Sequence, residues 1–215
     1  MRKLKIKQTE DQRVYFTSDT HYAHANICRG VSQWGDKENS TRDFKTLREM
    51  NDELVNAINR TVRPKDILFH MGDWSFGNVS MIEEFRRRIN CLNVHLIFGN
   101  HDDHIEEDEE QFASLFSSVQ HYKEIVVDGD MFCLFHYKQM IWNKSHRDAY
   151  HLYGHSHAGA EKDAIGRSMD VGVDNAFKML GEYRPFSHEE IIYFLKGRKH
   201  KALDHHGAKG TESHK

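Results

Sequence analysis

Several features that mark membrane-spanning, secreted or strongly charged proteins are scarce in this chain of 215 residues. No apolar run approaches the ~20 residues that a membrane helix requires, and residues 1–11 are charged and lack the apolar core of a signal peptide. The formal net charge is only −3, so a global attraction to nucleic acid or to a membrane is not expected. We predict no membrane partner.

Cysteine is scarce too. Cys28, Cys91 and Cys133 show no spacing typical of metal sites, and we interpret them as reduced thiols in a cytoplasmic protein. The length suits one well-buried domain and is too short for two typical ones. We therefore predict a single domain over residues 1–196, followed by a disordered tail at 197–215, which is charged, rich in histidine and poor in large apolar residues.

Apolar patterns predict strands and helices that alternate in the first half of the chain. Alternation of this kind favours a largely parallel sheet, whereas the second half opens with a hairpin pattern around Asp128-Gly129. The predicted strands are 13–18, 66–71, 94–98, 124–127, 131–135, 151–153 and 168–173, and the predicted helices are 41–62, 79–89 and 187–196, the last one starting with a capping-box pattern.

Histidine, by contrast, is abundant, with 17 copies, and many lie in polar clusters just after predicted strands. The clusters are Asp19-Thr20-His21, Gly72-Asp73, Gly99-Asn100-His101-Asp102, His136 and Gly154-His155-Ser156-His157. Residues two apart in an extended segment point the same way, and parallel strands end at one edge of the sheet. Any single cluster is explained equally well by a turn or a core histidine. Together they predict two divalent metal ions acting on a phosphate ester.

This ordered set resembles the pattern of the calcineurin-like metallophosphoesterase superfamily. The resemblance implies an α/β fold, a β-sandwich of two mixed sheets flanked by helices in a four-layer αββα arrangement. It assigns one metal to Asp19, His21, Asp73 and His157, and the other to Asp73, Asn100, His136 and His155. Asp73 would bridge the two ions. Manganese is the metal we expect first, and Fe, Zn, Ni or Co would suit the same mixed ligands.

His101 and Asp102 are the predicted catalytic pair. His101 matches the histidine of the superfamily that is not a ligand, and beside a phosphate it would stabilise charge as imidazolium or protonate the leaving oxygen. Asp102 has two interpretations of equal weight. It either orients His101 or caps the helix that begins ahead of Ile105.

Predicted substrate contacts lie just beyond these clusters. The segment 19–27 resembles small bacterial and phage-type members of the superfamily. His24 and Asn26 in it could touch a phosphate oxygen or a sugar, and a role in shaping the loop explains them equally well. Arg29, Trp142 and His146 could hold a phosphate or stack on a base, although surface or packing roles explain them as well. Trp34 and Trp74 are interpreted as packing residues.

We predict a phosphoesterase that hydrolyses a phosphodiester of a small substrate, with a nucleotide derivative as one candidate, by attack of a hydroxide that bridges two metals. A phosphomonoesterase of the same mechanism and a DNA or RNA nuclease are the alternatives. For a nuclease, the basic residues 86–88 and the tail are the only support, and a solvated helix face explains the arginines. A non-catalytic interaction protein is least favoured, because Asp73, Asn100 and His101 are all present. The sequence does not indicate the oligomeric state.

Overall fold

The structure is a computed structural model that describes residues 3–112 and 114–199. Its strands are β1 (Leu4–Ile6), β2 (Val14–Thr17), β3 (Ile67–His70), β4 (Asn93–Ile97), β5 (Ser118–Gln120), β6 (Tyr122–Val127), β7 (Asp130–Phe135), β8 (Tyr150–Tyr153), β9 (Ser168–Asp170) and β10 (Phe186–Ser187). Its helices are α1 (Leu47–Thr61), α2 (Val79–Arg88), α3 (Asp103–Glu107), α4 (Glu109–Phe112), α5 (Val173–Leu180) and α6 (His188–Leu195).

The strands form two five-stranded sheets, ordered β1-β6-β7-β8-β9 and β10-β2-β3-β4-β5. Both sheets are mixed. In the first, only the β6–β7 hairpin is antiparallel, and in the second, only β10 against β2. The predicted α/β fold of two mixed sheets flanked by helices is confirmed. Because β2, β3 and β4 are parallel, their carboxyl ends meet at one edge, as the ends of β7 and β8 do in the other sheet.

The two sheets pack face to face around a core of large apolar side chains. Phe16 of β2 and Phe132 of β7 meet across it, with ring centroids 5.2 Å apart. Side chains alternate along each strand, so Phe69 points into this core while its neighbour Leu68 packs on the other face of the sheet, against helices α1 and α2. The outer face of the first sheet is covered around Cys133 by Trp142.

Helix boundaries account for two differences from the sequence-based prediction. The first helix begins at Leu47 rather than at residue 41, because Thr46 and Glu49 form a capping box that fixes its start. The strand predicted at 168–173 ends at Asp170, and Val173 begins the unpredicted α5. Residues 200–215 of the predicted tail lie outside the described residues. No helix in the described part of the chain combines the length and apolar character needed to cross a membrane.

The buried ring of His151 makes the fold sensitive to acid. Its Nε2 accepts from the backbone N–H of Gln139 at 3.0 Å, and its Nδ1 therefore donates to the carbonyl of Cys133, also at 3.0 Å. Burial lowers the pKa of His151 to about 4. An unfolded histidine takes up its proton near pH ~6.5, so acid favours unfolding. The free energy of unfolding should fall by up to about 3 kcal/mol between these two pH values.

Urea denaturation measured from pH 7 to pH 4 checks this expectation. The variant His151→Gln should lose that part of the pH dependence, whereas His121→Gln, whose side chain is 62% exposed, should keep it. An unaltered pH dependence in His151→Gln would show that this ring does not carry the acid sensitivity.

Candidate metal centre

Loops from both sheets bring the predicted metal ligands together. Asp19 and His21 follow β2, Asp73 follows β3, and Asn100 follows β4, all in the second sheet. The first sheet supplies the other predicted ligands, His136 after β7 and then His155 and His157 after β8. An isolated bridge between Ser18 and Gly172 joins the two sheets beside Asp19. The site therefore lies where the sheets converge.

The backbone at the site adopts conformations that residues with a Cβ rarely use. Five of the predicted ligands have positive φ: Asp19 (54°), His21 (46°), Asp73 (57°), His155 (65°) and His157 (45°). A conformation of this kind costs roughly 1–3 kcal/mol per residue and persists only where the surroundings enforce it. Clustering of such strain is typical of functional sites.

Two glycines let these loops approach each other. A Cβ on Gly99 would collide with the carboxylate of Asp73, and one on Gly154 would collide with Ser18 and with the carboxylate of Asp19. Both positions need glycine because another backbone or a ligand side chain occupies the space. The strand-end motifs therefore contain glycine for close packing as well as for the turn.

The predicted ligands fall into two groups. The ligand atoms of Asp19, His21 and His157 lie within 4.8 Å of one another, and so do those of Asp73, His136 and His155. Asp73 stands between the groups, since its Oδ2 lies 3.2 Å from His21 Nε2 and 3.6 Å from His136 Nε2.

Asn100 joins the second group. Its Oδ1 lies 3.1 Å from His136 Nε2 and 2.8 Å from His155 Nδ1. The division matches the two ligand sets that the sequence resemblance implies.

His21 shows that the residues fit a cation. Both of its ring nitrogens are buried and make no hydrogen bond, although Nε2 is close to Asp73 Oδ2. A buried polar atom without a partner is costly in a folded protein. Burial also lowers the pKa of His21 to about 4, so the ring is neutral near pH 7. A neutral imidazole is the form that binds a metal.

A buried charge pair supports the first group from behind. His157 Nδ1 lies 2.7 Å from Asp174 Oδ2, and Arg42 reaches the same carboxylate through Nη2 at 3.0 Å and Nε at 3.2 Å. Burial alone would lower the pKa of His157, but the hydrogen bond to Asp174 raises it. A carboxylate on the far nitrogen fixes the ring and makes it a better ligand.

Arg42 also fixes the loop that carries Asp19. Its guanidinium donates to the carbonyl oxygens of Thr20, at 2.6 Å, and of Asp19, and it is fully buried. Neither Arg42 nor Asp174 was predicted as a site residue. The contact between Asp174 and Arg42 spans 132 positions and has no local signal in the sequence.

The predicted catalytic pair lies at the site, but not in the predicted relation. The backbone N–H of His101 donates to Asp73 Oδ1 at 3.0 Å, and its exposed side chain lines the cavity. The carboxylate of Asp102 is buried and accepts backbone N–H groups from Asp73, Trp74 and Gly99, at 2.8, 2.9 and 2.8 Å. Asp102 is the N-cap residue of α3, as one of the two interpretations predicted, but its side chain makes no capping hydrogen bond. Asp102 ties two ligand loops together, and neither interpretation made from sequence describes this contact.

A cavity of about 650 Å³ opens above the two groups. His24 and Asn26 line it, as do Trp34 and Phe76, which the sequence did not suggest as site residues. The packing role expected for Trp74 agrees with its complete burial, but the same expectation for Trp34 is wrong, because 39% of Trp34 is exposed at the cavity.

The other predicted substrate contacts lie elsewhere. Arg29, Trp142 and His146 are not among the described residues that line the cavity. Arg29 lies 3.7 Å from Asp43, and Trp142 is buried, donating from Nε1 to the carbonyl of Ala149. His146 lies in the short 3-10 turn Ser145–Arg147.

The arginines at 86–88 are engaged within the protein. Arg86 donates to the backbone carbonyl of Leu115, at 2.6 Å, and to others nearby. Arg88 pairs with Asp52 at 2.6 Å. Arg87 is exposed and donates to the carbonyl of Glu83 at 3.4 Å, so Arg86 and Arg88 are the two of these three arginines that contact distant parts of the chain.

Comparison with known proteins bears on this arrangement. A family model described as the calcineurin-like phosphoesterase superfamily domain matches residues 13–169. The chain belongs to the calcineurin-like phosphoesterase superfamily. This stretch of the superfamily domain includes all the predicted ligands and ends before Asp174. The carboxylate that supports His157 therefore lies outside the matched part.

Individual relatives are distant. An uncharacterized protein of Methanocaldococcus jannaschii, MJ1445, is 28% identical over 195 residues, which are 87% of this chain and 94% of that protein. The structure of AQ665, a protein of unknown function from Aquifex aeolicus, is similar with a TM-score of 0.62 and 24% identity, over 85% of this chain and 99% of that one. The similarity to AQ665 concerns the fold alone. The phosphoesterase Yfce from E. coli matches with a TM-score of 0.39 and 14% identity, over 75% and 78% of the two chains, too remote to bear on function.

Proposed function

We propose that this member of the superfamily is a phosphodiesterase that depends on two divalent metal ions. One observation carries the proposal. Two groups of ligand atoms share the Asp73 carboxylate at the floor of a cavity of about 650 Å³. A cavity of that size suits a small molecule.

The assignment of ligands follows the two groups. Asp19, His21, Asp73 and His157 would hold one ion, and Asp73, Asn100, His136 and His155 the other. Two bound cations would lower the pKa of a water and offset charge on a phosphoryl group. Mixed oxygen and nitrogen ligands suit Mn, and also Fe, Zn, Ni or Co.

His101 has the position expected of the group that handles the leaving oxygen. Its backbone is fixed by Asp73, and its ring centroid lies 5.3 Å from that of His21. The imidazole is exposed to the cavity, so it can exchange protons with solvent. It would donate a proton to the departing alkoxide or stabilise the phosphate as imidazolium.

The charges around the cavity favour a diester over a monoester. Among the lining side chains that the structure describes, none is a lysine or an arginine, and Glu38 is an acidic residue. A phosphodiester carries one negative charge, whereas a monoester near neutral pH carries close to two. The metal ions alone would balance the smaller charge.

The test compares bis(p-nitrophenyl) phosphate with p-nitrophenyl phosphate. Metal-stripped protein should be inactive, and added Mn²⁺ should restore hydrolysis, with kcat/KM higher for the diester. The variant His101→Ala should lose rate and still bind Mn²⁺; because p-nitrophenolate departs with little need of a proton, the full loss of roughly 10²–10⁴-fold is expected for an ester with a poorer leaving group. The matched control is His121→Ala, a histidine exposed away from the cavity, which should keep full activity.

Each contrary result has a distinct meaning. A preference for the monoester would favour the phosphatase alternative. Protein that binds two equivalents of Mn²⁺ and hydrolyses neither ester would overturn the proposal.

A further inference from the structure

A second group of residues that line the cavity has a different chemical character. It includes the aromatic rings of His24, Trp34 and Phe76, together with Asn26, Glu38 and Asn39. Trp34 is 39% exposed and Phe76 is 40% exposed. We refer to the six residues named here as the aromatic compartment.

The rings of the aromatic compartment form a continuous wall that leads to the metal centre. The ring centroid of His24 lies 5.7 Å from that of Trp34 and 3.9 Å from that of Phe76. Phe76 in turn lies 5.5 Å from His101. Only two ring contacts separate Trp34 from His21, because His24 and His21 lie 5.5 Å apart.

The wall is held in place by the backbone on both sides. Phe76 donates its N–H to the carbonyl of Tyr22 at 2.7 Å. On the other side, Asn26 Oδ1 accepts the N–H of Gln33 at 3.0 Å, next to Trp34. The exposed faces of Trp34 and Phe76 are thus presented by ordered segments. Apolar surface kept in water inside a concave site is unfavourable unless a ligand covers it.

Polar groups in the same compartment are available to a ligand. Among the described side chains of residues 3–112 and 114–199, the carboxylate of Glu38 has no hydrogen-bond or ion-pair partner, and neither has the side-chain amide of Asn39. Asn26 uses its oxygen on Gln33, and its two N–H donors have no partner in the same ranges. A planar ligand stacked on the rings would find amide donors and a carboxylate acceptor at its edge.

We propose that the aromatic compartment binds the nucleobase of a nucleotide phosphodiester, which stacks on Trp34 and Phe76 and donates an N–H to Glu38. Every base has a π face that stacks on aromatic rings, and a carboxylate accepts from N–H groups at a base edge. The ester phosphorus would then lie over Asp73. This inference rests on the proposed phosphodiesterase function, whose substrate class it names.

Two esters with the same leaving group test the proposal. They are thymidine 5′-(p-nitrophenyl) phosphate and methyl p-nitrophenyl phosphate. The Mn²⁺-loaded protein should hydrolyse the nucleoside ester with a kcat/KM at least about tenfold higher. Trp34→Ala and Phe76→Ala should each reduce this ratio by roughly tenfold, which corresponds to the loss of one stacking contact. Glu38→Gln should reduce the ratio of the two kcat/KM values severalfold.

A matched control and a third ester sharpen the test. Tyr193→Ala removes another exposed aromatic ring, 76% exposed on α6, and should leave the ratio unchanged. Phenyl p-nitrophenyl phosphate presents an aromatic ring without N–H donors. If it gained as much as the nucleoside ester, the compartment would be a general aromatic pocket, and the nucleobase assignment would be wrong.

Fluorescence gives a second readout that does not depend on turnover. The chain has three tryptophans, and Trp74 and Trp142 are buried. Thymidine 5′-monophosphate should therefore quench mainly Trp34, and Trp34→Phe should abolish the quenching. Quenching without hydrolysis of any ester would support the base site and overturn the phosphodiesterase function. Hydrolysis of both esters at similar rates, without quenching, would overturn the base site alone.

Discussion

Replacing Asp73 with asparagine is expected to abolish both metal-binding and hydrolytic activity. The same carboxylate oxygen lies 3.2 Å from a ring nitrogen of His21 and 3.6 Å from one of His136, so its charge serves both ligand groups. An asparagine keeps the shape but removes the negative charge. Wild-type protein should bind two equivalents of Mn²⁺, and Asp73→Asn should bind neither tightly. The rate on a diester should fall by at least ~10²–10³-fold, as when a group that stabilises the transition state is lost.

Calorimetric titration with Mn²⁺ measures the stoichiometry directly. His21→Ala and His136→Ala, each in one group only, should weaken a single equivalent. Asp43→Asn provides the control, because its carboxylate is 83% exposed and is not among the residues that line the cavity. If Asp73→Asn still bound two ions, the shared role of this residue would be excluded.

Replacing Arg42 with alanine is expected to have the largest effect on stability. The guanidinium is completely buried, pairs with Asp174 through two nitrogens, and donates to the backbone carbonyls of Asp19 and Thr20. Without it, the Asp174 carboxylate and these carbonyls would stay buried without compensation. Breaking a buried pair from one side costs about 3–5 kcal/mol, which would lower the melting temperature by roughly 10 °C.

A double-mutant cycle separates the energy of the Arg42–Asp174 pair from that of the other contacts of Arg42. Burial alone would raise the pKa of Asp174, but the Arg42 guanidinium and the His157 hydrogen bond bring it well below its usual range, so the carboxylate is charged in the folded protein. Adding Asp174→Ala to Arg42→Ala should therefore cost much less than Asp174→Ala in the wild type. Arg42→Lys keeps the charge but not the forked geometry, and should be intermediate. Wild-type stability in Arg42→Ala would contradict the buried pair.

The sequence predicted the central strands and the placement of the candidate ligands well. The apolar runs ending at Thr17, His70 and Ile97 are short, buried and bounded by polar residues, so strands and loops could be distinguished locally. The order of the polar clusters along the chain then restricted the choice of fold family. Local signals also explain why the start of the first helix was predicted too early. The apolar spacing continues upstream of Leu47, but a capping box determines where the helix begins.

Features that depend on distant contacts could not be predicted. The strands β1 and β10 have three and two residues, too few for a periodic signal, and they are defined by pairing with β6 and β2. The pair of Arg42 with Asp174 is equally non-local. Trp34 illustrates the same limit, because only the folded positions of His24 and Phe76 show that its ring faces a cavity.

The convergence of both sheets at one site also bears on how the protein is made. Ligand residues emerge from the ribosome over a long interval, from Asp19 to His157, and the last of them reach their places only when β8 lies beside β7. The support for His157 comes later still, from Asp174. A nascent or interrupted chain therefore lacks a complete ligand set. If the protein has the proposed function, such a chain can neither bind both metal ions nor hydrolyse an ester before both sheets have formed.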